Sequence, residues 1–364
     1  MKKLLACLLF ISGNWLFAQE DRQYSVEANY FYGNIVEHSP AISHLITHYP
    51  EGVLLSFSKK TFGAEAWERR YNYPELGVTF TYQDLKNQYL GENYGLYAHM
   101  GFYFLKRHLL LKVGQGLAYA TSPYDPDTNY QNNAFGSPVL STTYLSGNFL
   151  WEDIFEGLGF QAGISLIHYS NADFISPNSS TNTAAVNIGM NYLLGHEKEI
   201  KYVPKEEEGK YTEPVHVNMV LRSGVNSARI IGTGSLPFLT FSAYADKRLS
   251  RKSTLQAGTE IFFSRAMEEY INYHAAAFPE GGTTGEEDAK RVGIFAGHQL
   301  TFHKTSVLTQ LGYYIYYPYE RFVDQVYNRV GLQRELYKDL FASVTVRSHG
   351  ANAEAVEFSI GYRL

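Results

Sequence analysis

The chain has 364 residues, with 31 Lys or Arg against 36 Asp or Glu and a formal net charge of −5 at pH 7. This balance excludes the basic surface that nucleic-acid binding requires, and a single cysteine excludes a disulfide framework or a Cys-based metal site. Aromatic residues make up 15% of the chain beside 31 glycines, a composition that favours many short strands.

Residues 1–18 predict a signal peptide. Two lysines precede an apolar run from Leu4 to Phe10, and the small residue Ala18 ends the segment. We therefore expect an exported protein whose mature chain begins near Gln19. After this segment, no apolar run has the length of a membrane helix.

From about residue 24 to the last residue, apolar and polar side chains alternate with a period of two, which predicts amphipathic strands. The last segment shows it most clearly, because Glu, Ser, Gly and Arg separate Val356, Phe358, Ile360, Tyr362 and Leu364. We predict sixteen strands, at 24–36, 51–60, 74–84, 92–105, 108–121, 139–151, 158–172, 182–195, 214–225, 236–248, 252–266, 291–302, 305–317, 324–334, 340–348 and 355–364.

Strand length and turn length together predict the fold class: an all-β, transmembrane, antiparallel up-and-down β-barrel of roughly 14–16 strands. A soluble sandwich also alternates, but the export signal and the segment lengths favour a membrane barrel. Connections alternate tight and long, as at Lys106-Arg107 followed by 122–138. Outer-membrane barrels have this asymmetry, with short periplasmic turns and longer outer loops.

A long charged connection at residues 196–213 stands where a tight periplasmic turn is expected. It separates a first half, residues 19–195, from a second half, residues 214–364, with eight predicted strands in each. One continuous barrel is the favoured arrangement, and two eight-stranded units are the alternative.

The stretch 166–182 brings a base, a hydroxyl and several amides to one strand-to-loop junction. His168 and Ser170 are two residues apart, so they project from the same face of a strand. That face continues into the apolar residues Ile164 and Leu166, and Asn182 continues the apolar row of the next strand. We therefore predict His168, Ser170 and Asn182 on the outer, lipid-facing wall near the extracellular rim. Polar groups there need partners or a function, because their desolvation is costly.

These residues resemble the lipid A 3-O-deacylases, outer-membrane proteins that are also described as acyloxyacyl-hydrolase-like. The resemblance lies in His-x-Ser-Asn-Ala followed by Pro-Asn, formed here by His168, Ser170, Asn171, Ala172, Pro177 and Asn178. It implies a serine esterase of the cell outer membrane that removes an ester-linked 3-hydroxyacyl chain from lipid A. The expected partner is lipopolysaccharide in the outer leaflet, with no metal and no other cofactor.

The resemblance also implies a role for each residue. Ser170 would be the nucleophile and His168 the base, and Asn178 and Asn171 would stabilise the oxyanion. The acid of the family falls at Asn182, whose amide oxygen can accept the imidazole N–H but cannot stabilise the imidazolium by charge.

Two further positions bear on activity. With Asn182 at the acid position, the alternatives are reduced activity, a His168–Ser170 dyad, or Asp173 as the acid. Ser180 stands where members of the family usually have Gly.

The alternative function is a non-catalytic barrel, either a pore or a structural or adhesion protein. In that case His168 and Ser170 would bind each other or lipid head groups. His38, His44 and His48 are loosely spaced in one loop and do not predict a metal site. The resemblance covers about residues 20–195, and the second half has no counterpart in the small eight-stranded enzymes. The sequence leaves the oligomeric state open.

Overall fold

The computed structural model describes residues 23–197 and 201–364, so the predicted signal peptide lies outside the described residues. The described chain is built from sixteen strands: β1 Tyr24–Ile35, β2 Glu51–Lys60, β3 Glu75–Asp84, β4 Glu92–Phe104, β5 Leu109–Ala120, β6 Val139–Phe155, β7 Leu158–Ser170, β8 Thr181–Leu194, β9 Val215–Ser227, β10 Ser235–Arg248, β11 Ser253–Ser264, β12 Arg291–Phe302, β13 Thr305–Tyr316, β14 Val326–Tyr337, β15 Leu340–His349 and β16 Asn352–Arg363.

The strands form two closed antiparallel barrels, β1–β8 and β9–β16. β1 closes the first barrel by pairing with β8, from Tyr24 opposite Leu194 to Ile35 opposite Thr183. β16 closes the second by pairing with β9. The all-β barrel fold and the sixteen strands are confirmed, but the favoured single continuous barrel is wrong. Both edges of each half find a partner within that half, so β8 has no free edge for β9.

Short helices lie in the connections. They are the α-helices α1, Ala66–Arg70, and α2, Arg265–Ala277, and the 3-10 turns Pro40–Leu45, Leu105–Arg107 and Pro279–Gly281. The Ser264 hydroxyl caps α2 by accepting a hydrogen bond from the Met267 N–H at 3.2 Å. In the described part of the chain, no helix is long and apolar enough to cross a membrane.

Side chains alternate between the two faces of each strand, as the period-two pattern predicted. On β8, Val186 and Ile188 are 63% and 65% exposed, whereas Thr183 and Asn187 between the outward positions are buried. The same pattern on the other strands gives each barrel an apolar outer wall. A soluble protein rarely exposes so large an apolar surface.

The lumen of the first barrel is filled with side chains. Lys112 lies between two carboxylates, with its Nζ 2.5 Å from Glu27 and 2.8 Å from Glu75. Above these charges lies an apolar cluster that includes Phe31 and Tyr169 from the strands and Phe135 from a loop. The ion pairs satisfy the buried charges, and the apolar cluster closes the lumen toward the long loops.

The lumen of the second barrel is filled by a denser charge network. The Arg329 guanidinium lies 3.0 Å from Glu260 and 2.5 Å from Glu357. Arg291 pairs with Glu354 at 2.5 Å. All five side chains are fully buried, so the network crosses the lumen and blocks it.

The two barrels contact each other at both ends. We call the end with the 195–214 connection the linker end, and the end with the 171–180 loop the site end. At the linker end, the Tyr71 hydroxyl donates to the Thr301 carbonyl at 2.9 Å, and the Tyr71 and Phe302 rings lie 4.2 Å apart. Lys252 Nζ donates to the Arg70 carbonyl at 2.7 Å. The contacts at the site end involve the candidate site.

Candidate functional site in the loop between β7 and β8

The predicted site residues meet where β7 ends and the 171–180 loop begins. β7 pairs with β8 in a register that sets His168 opposite Asn182. His168 and Ser170 share the outward face of β7 with Ile164, which is 67% exposed. Toward the site end this face becomes covered, since His168 is half-buried and Ser170 is only 3% exposed.

A hydrogen bond between His168 and Asn182 orients the imidazole. The His168 Nδ1 lies 2.8 Å from the Asn182 Oδ1. An amide oxygen only accepts, so Nδ1 carries the proton and Nε2 keeps its lone pair. Among the contacts of the described residues, Nε2 has no hydrogen-bond partner. The ring is therefore held in the tautomer that a general base requires.

The Ser170 hydroxyl is held by two groups of its own loop. It donates to the Asn178 Oδ1 at 3.1 Å and accepts from the Ala172 N–H at 2.8 Å. Within the described part of the chain it makes no hydrogen bond to His168, although both side chains lie on the same face. Proton transfer to His168 therefore requires the hydroxyl to turn away from Asn178.

The two amides predicted for the oxyanion have different surroundings. The Asn178 Oδ1 also accepts from the Asn171 N–H at 2.9 Å. The Asn178 Nδ2 has no hydrogen-bond partner among the described residues. The Asn171 Nδ2 donates to the Ile175 carbonyl at 2.7 Å. The Asn171 side chain thus braces the loop, whereas Asn178 lies beside the hydroxyl.

The loop backbone contains three non-glycine residues in the left-handed region: Ala172 with φ 55°, Asp173 with φ 62° and Ser180 with φ 58°. Side chains with a Cβ rarely adopt this conformation, so it is maintained by surrounding contacts. The value at Ser180 is one that glycine adopts without steric cost, which fits the Gly that the resemblance implies at this position. Here the Ser180 N–H donates to the Ala134 carbonyl at 3.2 Å, which ties the loop to the 121–138 loop.

Asp173, the alternative acid, belongs to the contact between the barrels. Its carboxylate is 5% exposed and lies 3.7 Å from the Arg229 Nε of the second barrel. Burial raises the pKa of Asp173 to about 7, although Arg229 opposes the shift. No contact among the described residues joins this carboxylate to His168, so the prediction of Asp173 as acid has no geometric support.

His38 is a neighbour that the sequence analysis missed. Its Nδ1 lies 3.3 Å from the Asn182 Nδ2, and its Nε2 lies 2.9 Å from the Ser179 carbonyl. His168, Asn182 and His38 thus form a chain of hydrogen bonds. The pairing of β1 with β8 would have predicted this contact, because His38 follows β1 and Asn182 lies at the start of β8. In the described residues, no group of three or more His, Cys, Asp or Glu side chains is placed to hold a metal ion.

Two closed barrels with apolar outer walls place the protein in the class of membrane β-barrels. Residues 51–191 match the family model for lipid A 3-O-deacylase (PagL), and residues 215–364 match the model for the C-terminal domain of acyloxyacyl hydrolase. Taken together, the two models cover most of the chain, which belongs to the PagL-like family of lipid A 3-O-deacylases and acyloxyacyl hydrolases. The family and the fold together point to an outer-membrane protein, and the family indicates hydrolase activity. The second match gives residues 215–364 a family model of their own.

No curated protein sequence matches the chain. Solved structures that match include a double and a triple mutant of the Rhodopseudomonas blastica porin. Each is 8% identical to this chain and covers 94% of it, with 100% of the porin chain covered and a TM-score of 0.20. A likeness at this TM-score supports no conclusion about fold or function.

Proposed function

We propose that this protein is an outer-membrane serine esterase that removes an ester-linked 3-hydroxyacyl chain from lipid A. The observation that carries the proposal is the joint placement of three groups at one rim of the first barrel. Ser170 is held by a backbone N–H, His168 presents a free Nε2, and Asn182 fixes the histidine ring. Family membership supplies the substrate class.

The reaction follows the chemistry of acyl transfer. The Ser170 Oγ attacks the ester carbonyl while the His168 Nε2 takes the hydroxyl proton. The C–O bond to the sugar then breaks, and His168 returns the proton to the sugar oxygen. Water, activated by the same histidine, releases the 3-hydroxy fatty acid from Ser170.

Asn178 is the proposed oxyanion donor. Its Oδ1 holds the Ser170 hydroxyl in the resting site, and its Nδ2 is free to donate once the hydroxyl has turned toward His168. A donor of this kind contributes on the order of 10²- to 10³-fold to the rate of acyl transfer. The side chain of Asn171, engaged with Ile175, is proposed to support the loop and not to contact the oxyanion.

The surroundings favour a substrate that arrives from the membrane. Ile164 and Leu166 extend the face of His168 as an exposed apolar row, which fits acyl chains. Both lumens are filled with charged and aromatic side chains, an arrangement that disfavours the alternative of a pore. The site end then corresponds to the outer leaflet, where lipopolysaccharide lies.

The test is expression of the wild type and Ser170→Ala in a host that makes lipid A with ester-linked 3-hydroxyacyl chains. Mass spectra of the lipid A should show loss of one 3-hydroxyacyl mass with the wild type and no loss with Ser170→Ala. Ser137→Ala is the matched control, because this serine lies in a neighbouring loop and its hydroxyl donates to the Val139 carbonyl. Identical lipid A from cells with the wild type and with Ser170→Ala would refute the proposal.

A further inference from the structure

The second barrel contacts the candidate catalytic loop through three hydrogen bonds. The Ser227 N–H donates to the Asp173 carbonyl at 2.6 Å, and the Ser227 and Ser176 hydroxyls lie 2.7 Å apart. The Ser235 hydroxyl donates to the Phe174 carbonyl at 2.5 Å. Ser227 ends β9 and Ser235 begins β10, so all three hydrogen bonds come from the two strands that flank one loop of the second barrel.

An arginine of the second barrel also lies against this loop. The Arg229 guanidinium lies 3.7 Å from the buried Asp173 carboxylate. Arg229 is itself fixed in the second barrel, because its Nη1 donates to the Phe322 carbonyl at 2.9 Å and its guanidinium lies 5.3 Å from the centre of the Phe322 ring. The positive charge that faces the loop is therefore anchored in the second barrel.

The contacted segment, residues 173–176, lies between the two groups that hold the nucleophile. Ala172, on one side, donates its N–H to the Ser170 Oγ, and the Asn178 Oδ1, on the other side, accepts a hydrogen bond from the Ser170 hydroxyl. Within the segment, the Ile175 carbonyl accepts from Asn171. A displacement of residues 173–176 would therefore move both partners of the Ser170 hydroxyl.

The loop conformation needs external support. Ala172 and Asp173 lie two and three residues after the nucleophile and both have positive φ, a conformation that a short non-glycine loop does not favour by itself. The Asp173 carbonyl is held by Ser227. This contact from the second barrel thus holds the backbone at Asp173, where φ is positive.

We infer that the second barrel is a positioning element for the catalytic loop, with Ser227 and Ser235 as positioning residues for Ser170. The expected effect on kcat rests on the proposed function, whereas the expected effect on the conformation of the loop does not. Under this inference the second barrel positions the loop of the site but contributes no group that reacts with the substrate. Misplacement of reacting groups by about 1 Å costs on the order of 10²-fold in rate.

The experiment compares full-length proteins in detergent micelles with lipid A as substrate. The double variant Ser227→Ala/Ser235→Ala removes the hydroxyl contacts and should lower kcat about 10-fold, while KM changes less than about two-fold. Ser235→Thr keeps a hydroxyl and should retain wild-type kcat. Tyr71→Phe is the matched control, because it removes one hydrogen bond between the barrels at the linker end.

Hydrogen exchange measured by mass spectrometry provides a readout independent of activity. In the double variant, amides of residues 171–180 should exchange at least several-fold faster, with β7 and β8 unchanged; Tyr71→Phe should leave the loop unchanged. Unaltered loop exchange in the double variant overturns the inference, and so does an unaltered kcat in an active enzyme. A wild type without deacylase activity refutes the proposed function instead, and loop exchange then decides the inference alone.

Discussion

Replacing Asn182 by Asp tests whether a charged acid at this position speeds the proposed reaction. The Asn182 Oδ1 accepts a hydrogen bond from the His168 Nδ1 at 2.8 Å, and an aspartate would keep this geometry while adding a negative charge. The charge matters only when His168 becomes an imidazolium during proton transfer. Asn182→Asp should therefore raise kcat without a large change in KM.

The size of the gain follows from hydrogen-bond energies. A neutral hydrogen bond contributes about 0.5–1.5 kcal/mol and one with a charged partner about 1.5–3 kcal/mol. The difference of about 1.4 kcal/mol corresponds to roughly 10-fold in kcat. Asn182→Ala removes the acceptor and the control of the tautomer, so it should lower kcat by about 10- to 100-fold.

Initial rates of 3-hydroxy fatty acid release from lipid A micelles, followed by mass spectrometry, measure these effects. Asn34→Asp is the matched control, since Asn34 is exposed on β1 and pairs in register with Ala184. It adds the same charge near the site without replacing the partner of His168. The reasoning fails if Asn182→Ala is as active as the wild type, or if Asn34→Asp gives the same gain as Asn182→Asp.

Two further predictions concern stability in detergent micelles. Lys112→Met leaves two buried carboxylates of the first lumen without their cation, so it should lower the free energy of unfolding by about 3–5 kcal/mol in urea titrations. The control is Lys106→Met in an exposed turn, which should change this free energy little. Equal effects of the two variants would contradict the prediction. For Asp173, the folded-state pKa of about 7 lies above that of an unfolded Asp, so the folded protein retains a proton that the unfolded chain loses between about pH 4 and pH 7. Stability should therefore fall as the pH rises through this window, by up to about 4 kcal/mol. Thermal unfolding of wild type and Asp173→Asn at pH 5 and pH 8 checks this, since only the wild type should lose stability; parallel curves would count against it.

The strands and their faces could be predicted from the sequence because alternation is a local property. All sixteen predicted segments overlap the observed strands, and the outward row of Ile164, Leu166 and His168 follows from period two alone. Strand pairing between neighbours in sequence follows from the turns. None of this requires knowledge of which strand closes the barrel.

Barrel closure could not be predicted, because it depends on long-range pairing of strand edges. A single barrel would set β1 beside β16, whereas the structure sets β1 beside β8. His38 lies near Asn182 only when β1 pairs with β8. The prediction of a single barrel therefore gave no reason to place His38 at the site. The contacts of Asp173 with Arg229 were hidden for the same reason, since they join loops of separate barrels.

The filled lumens have a consequence for how the proposed enzyme would meet its substrate. With Lys112 and its carboxylates in one barrel and the Arg329 network in the other, neither interior offers a route, and lipid A would reach Ser170 by diffusion within the leaflet. Encounter is then two-dimensional, so the turnover rate would follow the mole fraction of lipid A in the surrounding lipid. Diluting the substrate with inert lipid at constant total substrate would slow such an enzyme.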